Sequence, residues 1–368
     1  MSNQFRELLK KVGSGKHTKK DLTRSEAATA ARMMLLQEAT PAQIGAFMIA
    51  HRIKRPTVTE LVGMLDAYDQ LGPKLQPLPD ASKTVIVFGI PYDGRTRTAP
   101  VAVITALLIA SVGVPVVMHG GDSMPTKYGV PLIELWQGLG LDFSQLSLVQ
   151  VQQLLAQTGL GFVYIPKHFP QANGLVPYRS QIGKRPPAAT LELIWSPYGG
   201  NSHLVAGYVH PPTEVLFREA FKLRDQTNYT LVKGLEGSCD LPRHRTAIIM
   251  VSKPETPGGF ECLKLHPRDY GLAGEEVPLE STKLLLREIE TLLEGKPSEL
   301  IKSAIWNGGF YLWRCGICSD LSTGLSKAEV MLTSGEVAQK LIDICSLAKS
   351  LVSQEIKQKN SNITIADC

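Results

Sequence analysis

The sequence predicts an α/β protein in which an N-terminal helical domain precedes a larger α/β domain with a mostly parallel sheet. Three observations lead to this fold class. The first 60 residues contain three helix start signals, residues 84–129 follow the order strand, loop, helix, strand, loop, and strand and helix patterns return after residue 193. The strand–helix–strand order is typical of a parallel sheet, because parallel neighbours need a long crossover connection.

The helical domain is predicted from capping boxes. Thr23, Thr40 and Thr57 are each followed three residues later by Glu or Gln, the pattern with which many helices begin. Apolar residues then recur at helical spacing, and His51 lies among them, so we interpret it as core packing rather than a ligand. The proline-rich segment 72–79 follows these helices and predicts a domain boundary.

The segment 84–129 predicts a ligand site. A β-branched run at 84–88 leads into a loop rich in Gly, Pro and Arg, and a second such run at 114–118 leads into His119-Gly120. Ligands of open α/β sheets lie beyond the carboxyl ends of strands, and a helix N-terminus can hold an anion. Residues 101–118 are too short and too interrupted, by Gly113 and Pro115, for a membrane span. We therefore expect a phosphate-class ligand.

The amino-acid composition is compatible with many classes of globular protein. Of 368 residues, 43% are hydrophobic and 20% charged, which is ordinary for a globular protein, and the net charge of +5 permits a polyanionic partner without requiring one. The six cysteines lack the density of a disulfide framework, and no apolar signal segment opens the chain. We expect a cytoplasmic protein with reduced thiols, no membrane partner, and Cys315 and Cys318 as small apolar residues rather than metal ligands.

Several segments resemble the anthranilate phosphoribosyltransferases of glycosyltransferase family 3, relatives of the pyrimidine nucleoside phosphorylases. The similar segments are residues 22–27, 38–54 and 57–63 in the helical region, the loop 89–94 in place of a GTGGD loop, His119-Gly120, and 177–185 in place of Pro-x-Arg-x-x-Leu-Gly-x-Arg. The resemblance implies a nucleoside phosphorylase/phosphoribosyltransferase-like fold and a homodimer formed by the N-terminal helices. It also implies tryptophan-biosynthesis-like transfer from phosphoribosyl pyrophosphate (PRPP) with Mg²⁺, and an aromatic acceptor met by Arg179.

The chain departs from the family pattern in its ligand-binding motifs. Pro91 and Tyr92 replace two glycines of the loop, and the family's Asn and Ser-Thr pair fall on Pro100, Ala102 and Val103. Pro91 cannot donate a hydrogen bond to a phosphate, and Tyr92 is bulky. The family's metal-binding Asp-Glu pair aligns with Cys239-Asp240. Asp240 and Glu236 remain as candidate oxygen ligands for Mg²⁺.

The remaining candidate residues are mostly basic or lie in the two loops. The candidate ligand and phosphate-binding residues are Gly89, Asp93, Gly94, Arg95, Arg97, Thr98, His119, Gly120, Lys127, Lys167, Arg179 and Arg185. Two functions remain open. The first is a pentosyl or phosphoribosyl transferase with an altered acceptor. The second is a non-catalytic relative that binds single-stranded nucleic acid in the same groove, where Tyr92, His168, Phe169 and Tyr178 would stack bases.

The sequence patterns and the resemblance together predict the domain boundaries. We expect the helical domain at residues 1–79, rejoined by about 170–190, the α/β domain at 80–168 and 191–355, and a flexible tail at 356–368. Within the α/β domain, two final helices are predicted at 299–312 and 327–353.

Overall fold

The computed structural model describes residues 3–15, 17–80, 84–89 and 94–366, with side chains to residue 354. The strands are β1 Val85–Gly89, β2 Val116–Gly120, β3 Leu160–Tyr164, β4 Ser202–Gly207, β5 Tyr229–Val232, β6 Ala247–Ser252 and β7 Phe260–Leu265. They form one sheet in the order β3-β2-β1-β4-β5-β6-β7. The first five are parallel, whereas β6 and β7 pair antiparallel at one edge. The predicted fold class, with its mostly parallel sheet, is confirmed.

Four helices precede the sheet: α1 Asn3–Gly13, α2 Arg24–Leu35, α3 Pro41–Lys54 and α4 Val58–Leu71. All three predicted capping boxes are present. Thr23, Thr40 and Thr57 each accept a hydrogen bond from a backbone N–H three residues on, and the Glu or Gln there accepts one in return. Local sequence therefore sets where these helices begin.

The crossover from β1 to β2 is α5 Ala102–Ser111, the apolar run that the sequence singles out. All its residues except Ser111 are buried, because it packs between the sheet and the C-terminal helices. The connections from β2 to β4 contain α6 Leu132–Gly138, α7 Leu148–Thr158, α8 Ile165–His168, α9 Pro170–Asn173, α10 Val176–Ile182 and α11 Ala188–Leu191. Among the described residues, no helix is long and apolar enough to cross a membrane.

The C-terminal part differs from the prediction of two helices. After α12 Pro211–Leu223 and the last strands come α13 Thr282–Leu293, α14 Ile301–Arg314, α15 Leu321–Thr333 and α16 Glu336–Ala366. The predicted helix 327–353 is wrong because Gly335, at φ 82°, separates α15 from α16. The missed α13 carries a visible signal, an N-cap at Ser281 followed by a buried Leu/Ile stripe. The backbone of residues 356–366, the described part of the expected tail, lies within α16.

The core of the helical domain contains a buried polar cluster around Glu60. Its carboxylate accepts hydrogen bonds of 2.8 Å from Lys54 Nζ and from the N–H groups of Leu22 and Thr57. His51 Nε2 lies 3.4 Å from the same carboxylate, and its ring packs on Phe47. Burial would raise the pKa of Glu60, but the hydrogen-bonding groups around it lower that pKa to about 2. His51 thus belongs to the core of this domain.

This cluster predicts an acid-sensitive contribution to stability. We expect Glu60→Gln to lower the free energy of unfolding by about 2 kcal/mol at neutral pH, because hydrogen bonds to the charged carboxylate are lost. The folded-state pKa of Glu60 is depressed. The difference in free energy of unfolding between wild type and Glu60→Gln is therefore complete above the unfolded pKa near 4.5 and shrinks as pH falls toward about 2. Urea unfolding of both proteins at several pH values measures this. A difference that grows on acidification contradicts the assignment.

The helical domain contacts the α/β domain through α4. Arg224, at the end of α12, forms ion pairs with Asp66 and Asp69 of α4. Tyr68 makes edge contacts with the rings of Phe169 and Trp195. In addition, α10 packs on α3 of the helical domain.

Candidate functional site

A cleft of about 860 Å³ lies between the helical domain and the carboxyl ends of β4 and β5. One wall comes from the end of α3, with Arg52 and Arg55 exposed, and from the segment that begins at Arg185. The opposite wall, here called the inner wall, is formed by the loops that follow β1, β2, β4 and β5. This is the place where parallel sheets bind ligands, as the sequence indicates.

Arg95 is the central side chain of the inner wall. It is only 4% exposed, and its Nη1 donates to Asp240 Oδ2 at 2.7 Å and to Ser238 Oγ at 3.1 Å. Asp240 also accepts the N–H of Val101 at 3.1 Å, which fixes the start of α5 beside it. Burial raises the pKa of the Asp240 carboxyl, and the Arg95 guanidinium and the Val101 N–H oppose that rise.

Glu236 is the second buried carboxylate of this wall, with a side chain 3% exposed. It accepts the N–H groups of Thr96, Arg97 and Thr98 at 3.1–3.2 Å, and Lys127 Nζ lies 2.8 Å away. Burial would raise the pKa of Glu236, but Lys127 and these N–H groups hold it well below its usual range. The loop after β1 is thereby tied to the loop after β5, and Glu236 itself has a positive φ of 54°.

The two carboxylates expected to hold Mg²⁺ do not form a site that fits this ion. Mg²⁺ requires several oxygen ligands in near-octahedral geometry. Asp240 and Glu236 instead accept hydrogen bonds from Arg95, Lys127 and backbone N–H groups. Among the residues that the structure describes, no group of three or more His, Cys, Asp or Glu side chains could hold a metal ion.

The glycines of the first loop are packed against backbone. A Cβ on Gly89 would lie 1.7 Å from the carbonyl oxygen of Leu193, and Gly94 has φ 60° with Val130 O 2.2 Å from its Cβ position. Thr98 donates to Glu236 at 3.0 Å. Asp93, Pro91 and Tyr92 lie outside the described residues, so their predicted contacts stay predictions.

His119 and Arg179 lie apart from the large cleft, in a cavity of about 20 Å³. His119 is fully buried at the end of β2 and makes an edge contact of 5.1 Å with Trp195. Burial lowers its pKa to about 3, so the ring is neutral at physiological pH. Arg179 is 4% exposed, with Nη1 3.2 Å from Met124 Sδ. The cavity has room for about one water, and Trp195 and Tyr68 are among the residues that line it.

The other basic and aromatic candidates do not form one groove. Lys167 donates to the carbonyl of Ser144, and His168 makes hydrogen bonds with both ring nitrogens to Tyr164 N and Leu146 O. Phe169 has no exposed surface, so it cannot stack a base. Gly120 is buried at the end of β2. Arg97, in contrast, lies in the loop after β1 with its side chain 78% exposed.

Sequence reasoning missed Arg52 and Arg55 as residues of the cleft. They occupy the last turn and the C-cap of α3, in the segment His51-Arg-Ile-Lys-Arg-Pro56, and Arg52 Nε donates to Arg185 O at 3.0 Å. A usable signal was present, because the basic end of α3 stands in a segment that resembles the family's helical domain. The contact with residue 185, however, requires the fold.

Comparison with known proteins supports the architecture described above. Residues 6–72 match the model of a glycosyl transferase family helical bundle domain, and residues 93–338 match that of a glycosyl transferase family a/b domain. The anthranilate phosphoribosyltransferase of Azorhizobium caulinodans is 26% identical over 358 residues, 95% of this chain and 98% of that protein. The enzyme of the same name from Rhizobium meliloti is 28% identical over 341 residues, 89% of this chain and 95% of that protein.

Solved structures share the fold. The anthranilate phosphoribosyltransferase of Saccharomyces cerevisiae in complex with PRPP and Mg superposes with a TM-score of 0.82 at 16% identity, covering 95% of this chain and 99% of that one. The enzyme from Thermus thermophilus gives 0.74 at 21% identity, covering 93% and 99%. Because the α/β family model covers well over half of the chain, the protein belongs to the glycosyl transferase family of anthranilate phosphoribosyltransferase-like proteins.

Proposed function

We propose that this protein is a pentosyl or phosphoribosyl transferase that binds PRPP, or a related phosphorylated pentose, in the large cleft. The observation that carries the proposal is the placement of Arg52, Arg55 and Arg185 along one wall of this cleft, opposite the carboxyl ends of the sheet. Guanidinium groups are well suited to phosphate oxygens, which they can bind through two parallel hydrogen bonds. A homodimer formed by the N-terminal helices is part of the same proposal.

The acceptor in this proposal is not anthranilate. The family resemblance places the aromatic acceptor at Arg179, but the cavity beside Arg179 has a volume of about 20 Å³. That volume suits one water molecule and not an aromatic ring. Admission of anthranilate would require residues that line this cavity to move, and two of them, Trp195 and Tyr68, are nearly fully buried and packed edge-to-face against each other. We therefore expect an acceptor that approaches through the large cleft.

Single-stranded nucleic acid is the second candidate ligand. The 78% exposed Arg97, whose Nε lies 3.7 Å from Glu236 of the cleft, favours it, because exposed arginines can contact a phosphate backbone. The buried Phe169 weighs against it, since its ring offers no stacking surface. We therefore rank it second.

The proposal is tested by calorimetric titration with PRPP and, separately, with a single-stranded oligonucleotide at low and moderate salt. We expect PRPP to bind, and Arg55→Gln to weaken its binding about tenfold, because one charge-assisted phosphate contact is lost. Arg268→Gln is a matched control, because it makes the same substitution at an arginine that is 78% exposed and does not line the cleft. It should change the affinity less than about twofold.

Two results would count against the transferase. If wild type, Arg55→Gln and Arg268→Gln bind PRPP with equal affinity, PRPP does not bind along the arginines of the cleft. Salt-sensitive oligonucleotide binding without a PRPP signal would replace the transferase by the nucleic-acid binder. Once PRPP binding is established, release of pyrophosphate in the presence of candidate amines identifies the acceptor.

A further inference from the structure

The carboxylates of Glu236 and Asp240 are surrounded by positively charged side chains of the chain itself. Arg95 contacts both, at 2.7 Å to Asp240 and 3.4 Å to Glu236, and Lys127 is 2.8 Å from Glu236. Arg97 Nε lies 3.7 Å from Glu236 as well, so two carboxylates meet three cations and their negative charge is fully balanced. Metal sites show the opposite balance, with an excess of negative ligands that the ion neutralises.

The oxygens of Glu236 are also saturated with donors. Oε1 accepts the N–H groups of Arg97 and Thr98 and the hydroxyl of Thr98, while Oε2 accepts the N–H and hydroxyl of Thr96 and faces Lys127. A carboxylate has about four lone-pair positions, so few remain to coordinate an ion. A metal at this carboxylate would have to displace several backbone hydrogen bonds.

Displacement of Arg95 would be costly as well. Its side chain is 4% exposed, and it is held by Thr98, Ser238 and Asp240 at once. An arginine cannot lose its proton in a protein, so it would leave as a cation and its buried partners would have to be paired again. The guanidinium is therefore a fixed part of the inner wall, and we do not expect a metal ion to displace it.

We propose that Arg95 and Lys127 occupy the place where the family resemblance puts Mg²⁺, so that the cleft takes its phosphate ligand as the free anion and not as a magnesium complex. This inference rests on the proposed function for the identity of the ligand, but its metal part does not. The arginines on the opposite wall of the cleft, Arg52, Arg55 and Arg185, then neutralise the phosphates directly.

The first test uses the metal alone. Mn²⁺, a spectroscopic substitute for Mg²⁺, is titrated into the wild-type protein without phosphate, and free Mn²⁺ is measured by electron paramagnetic resonance. We expect all Mn²⁺ to remain free at concentrations up to well above that of the protein. Binding of one Mn²⁺ per chain that is lost in Asp240→Asn or Glu236→Gln, and retained in the surface control Asp122→Asn, would overturn the proposal.

The second test uses inorganic pyrophosphate as the ligand, in EDTA and in excess Mg²⁺. If the site takes the free anion, Mg²⁺ leaves the affinity unchanged or lowers it, because it removes uncomplexed pyrophosphate from solution. A rise of tenfold or more on addition of Mg²⁺ would overturn the proposal. Should pyrophosphate bind in neither condition, the titration is repeated with PRPP. If PRPP does not bind either, the proposed function fails, and the Mn²⁺ titration still decides whether Arg95 and Lys127 replace the metal.

Discussion

Arg95→Met should lower the free energy of unfolding by about 4 kcal/mol, the largest effect that we expect from a side-chain replacement in this protein. The substitution keeps the length of the side chain but removes the charge that pairs with Asp240, which is 3% exposed. It also leaves Ser238 and Thr98 without their common donor. An unpaired buried carboxylate must either pay its desolvation cost or take up a proton. Urea unfolding at neutral pH measures the change.

Two companion variants separate loss of the ion pair from loss of packing. Arg97→Met removes an arginine two residues away that is 78% exposed, and it should change stability by less than about 0.5 kcal/mol. The double variant Arg95→Met with Asp240→Asn should recover a large part of the loss, because it removes the stranded charge. If Arg95→Met proves as stable as Arg97→Met, Arg95 is not a structural cation, and the inference about Mg²⁺ loses its basis.

The sequence predicted those parts of the fold that depend on local signals. The capping boxes at Thr23, Thr40 and Thr57 are confirmed, since a cap involves residues only three apart. The order of β1, α5 and β2 is confirmed for a similar reason, because β-branched runs and turn residues mark each change of element. The break between α15 and α16 was missed although Gly335 marks it, since one glycine within an apolar repeat is compatible with a continuous helix.

The site could be located from sequence but not assembled. The loops after β1 and β2 were expected to meet a ligand, and both loops border the cleft, the second through Val130 and Pro131. The pairing of Arg95 with Asp240 spans 145 residues and arises only when β5 is placed two strands from β1. Arg95 and Lys127 were accordingly predicted as ligand-binding residues, whereas the structure places them against Asp240 and Glu236. Long-range charge pairing is the part that local patterns do not contain.

A glycine at the end of β1 provides the second large expected effect. Gly89→Ala would place a Cβ 1.7 Å from the carbonyl oxygen of Leu193 and 2.7 Å from its carbonyl carbon. Both atoms belong to backbone, so the strand or the segment after α11 must move. We expect a loss of more than about 3 kcal/mol in the free energy of unfolding, at the upper end of what overpacking costs. Thermal and urea unfolding measure it, with Gly45→Ala as the control.

Gly45 lies within helix α3 and is a suitable control, because a Cβ at this position would meet only Ile182 of α10, at 3.9 Å. Gly45→Ala should be neutral or raise stability by up to about 1 kcal/mol, the usual helix preference for alanine. The pair also separates two roles of Gly89. If Gly89→Ala loses stability, the glycine is needed because Leu193 packs on the strand end. If it keeps wild-type stability but no longer binds PRPP, the packing argument is wrong, and the glycine serves the close approach of a phosphate that the loop sequence suggested.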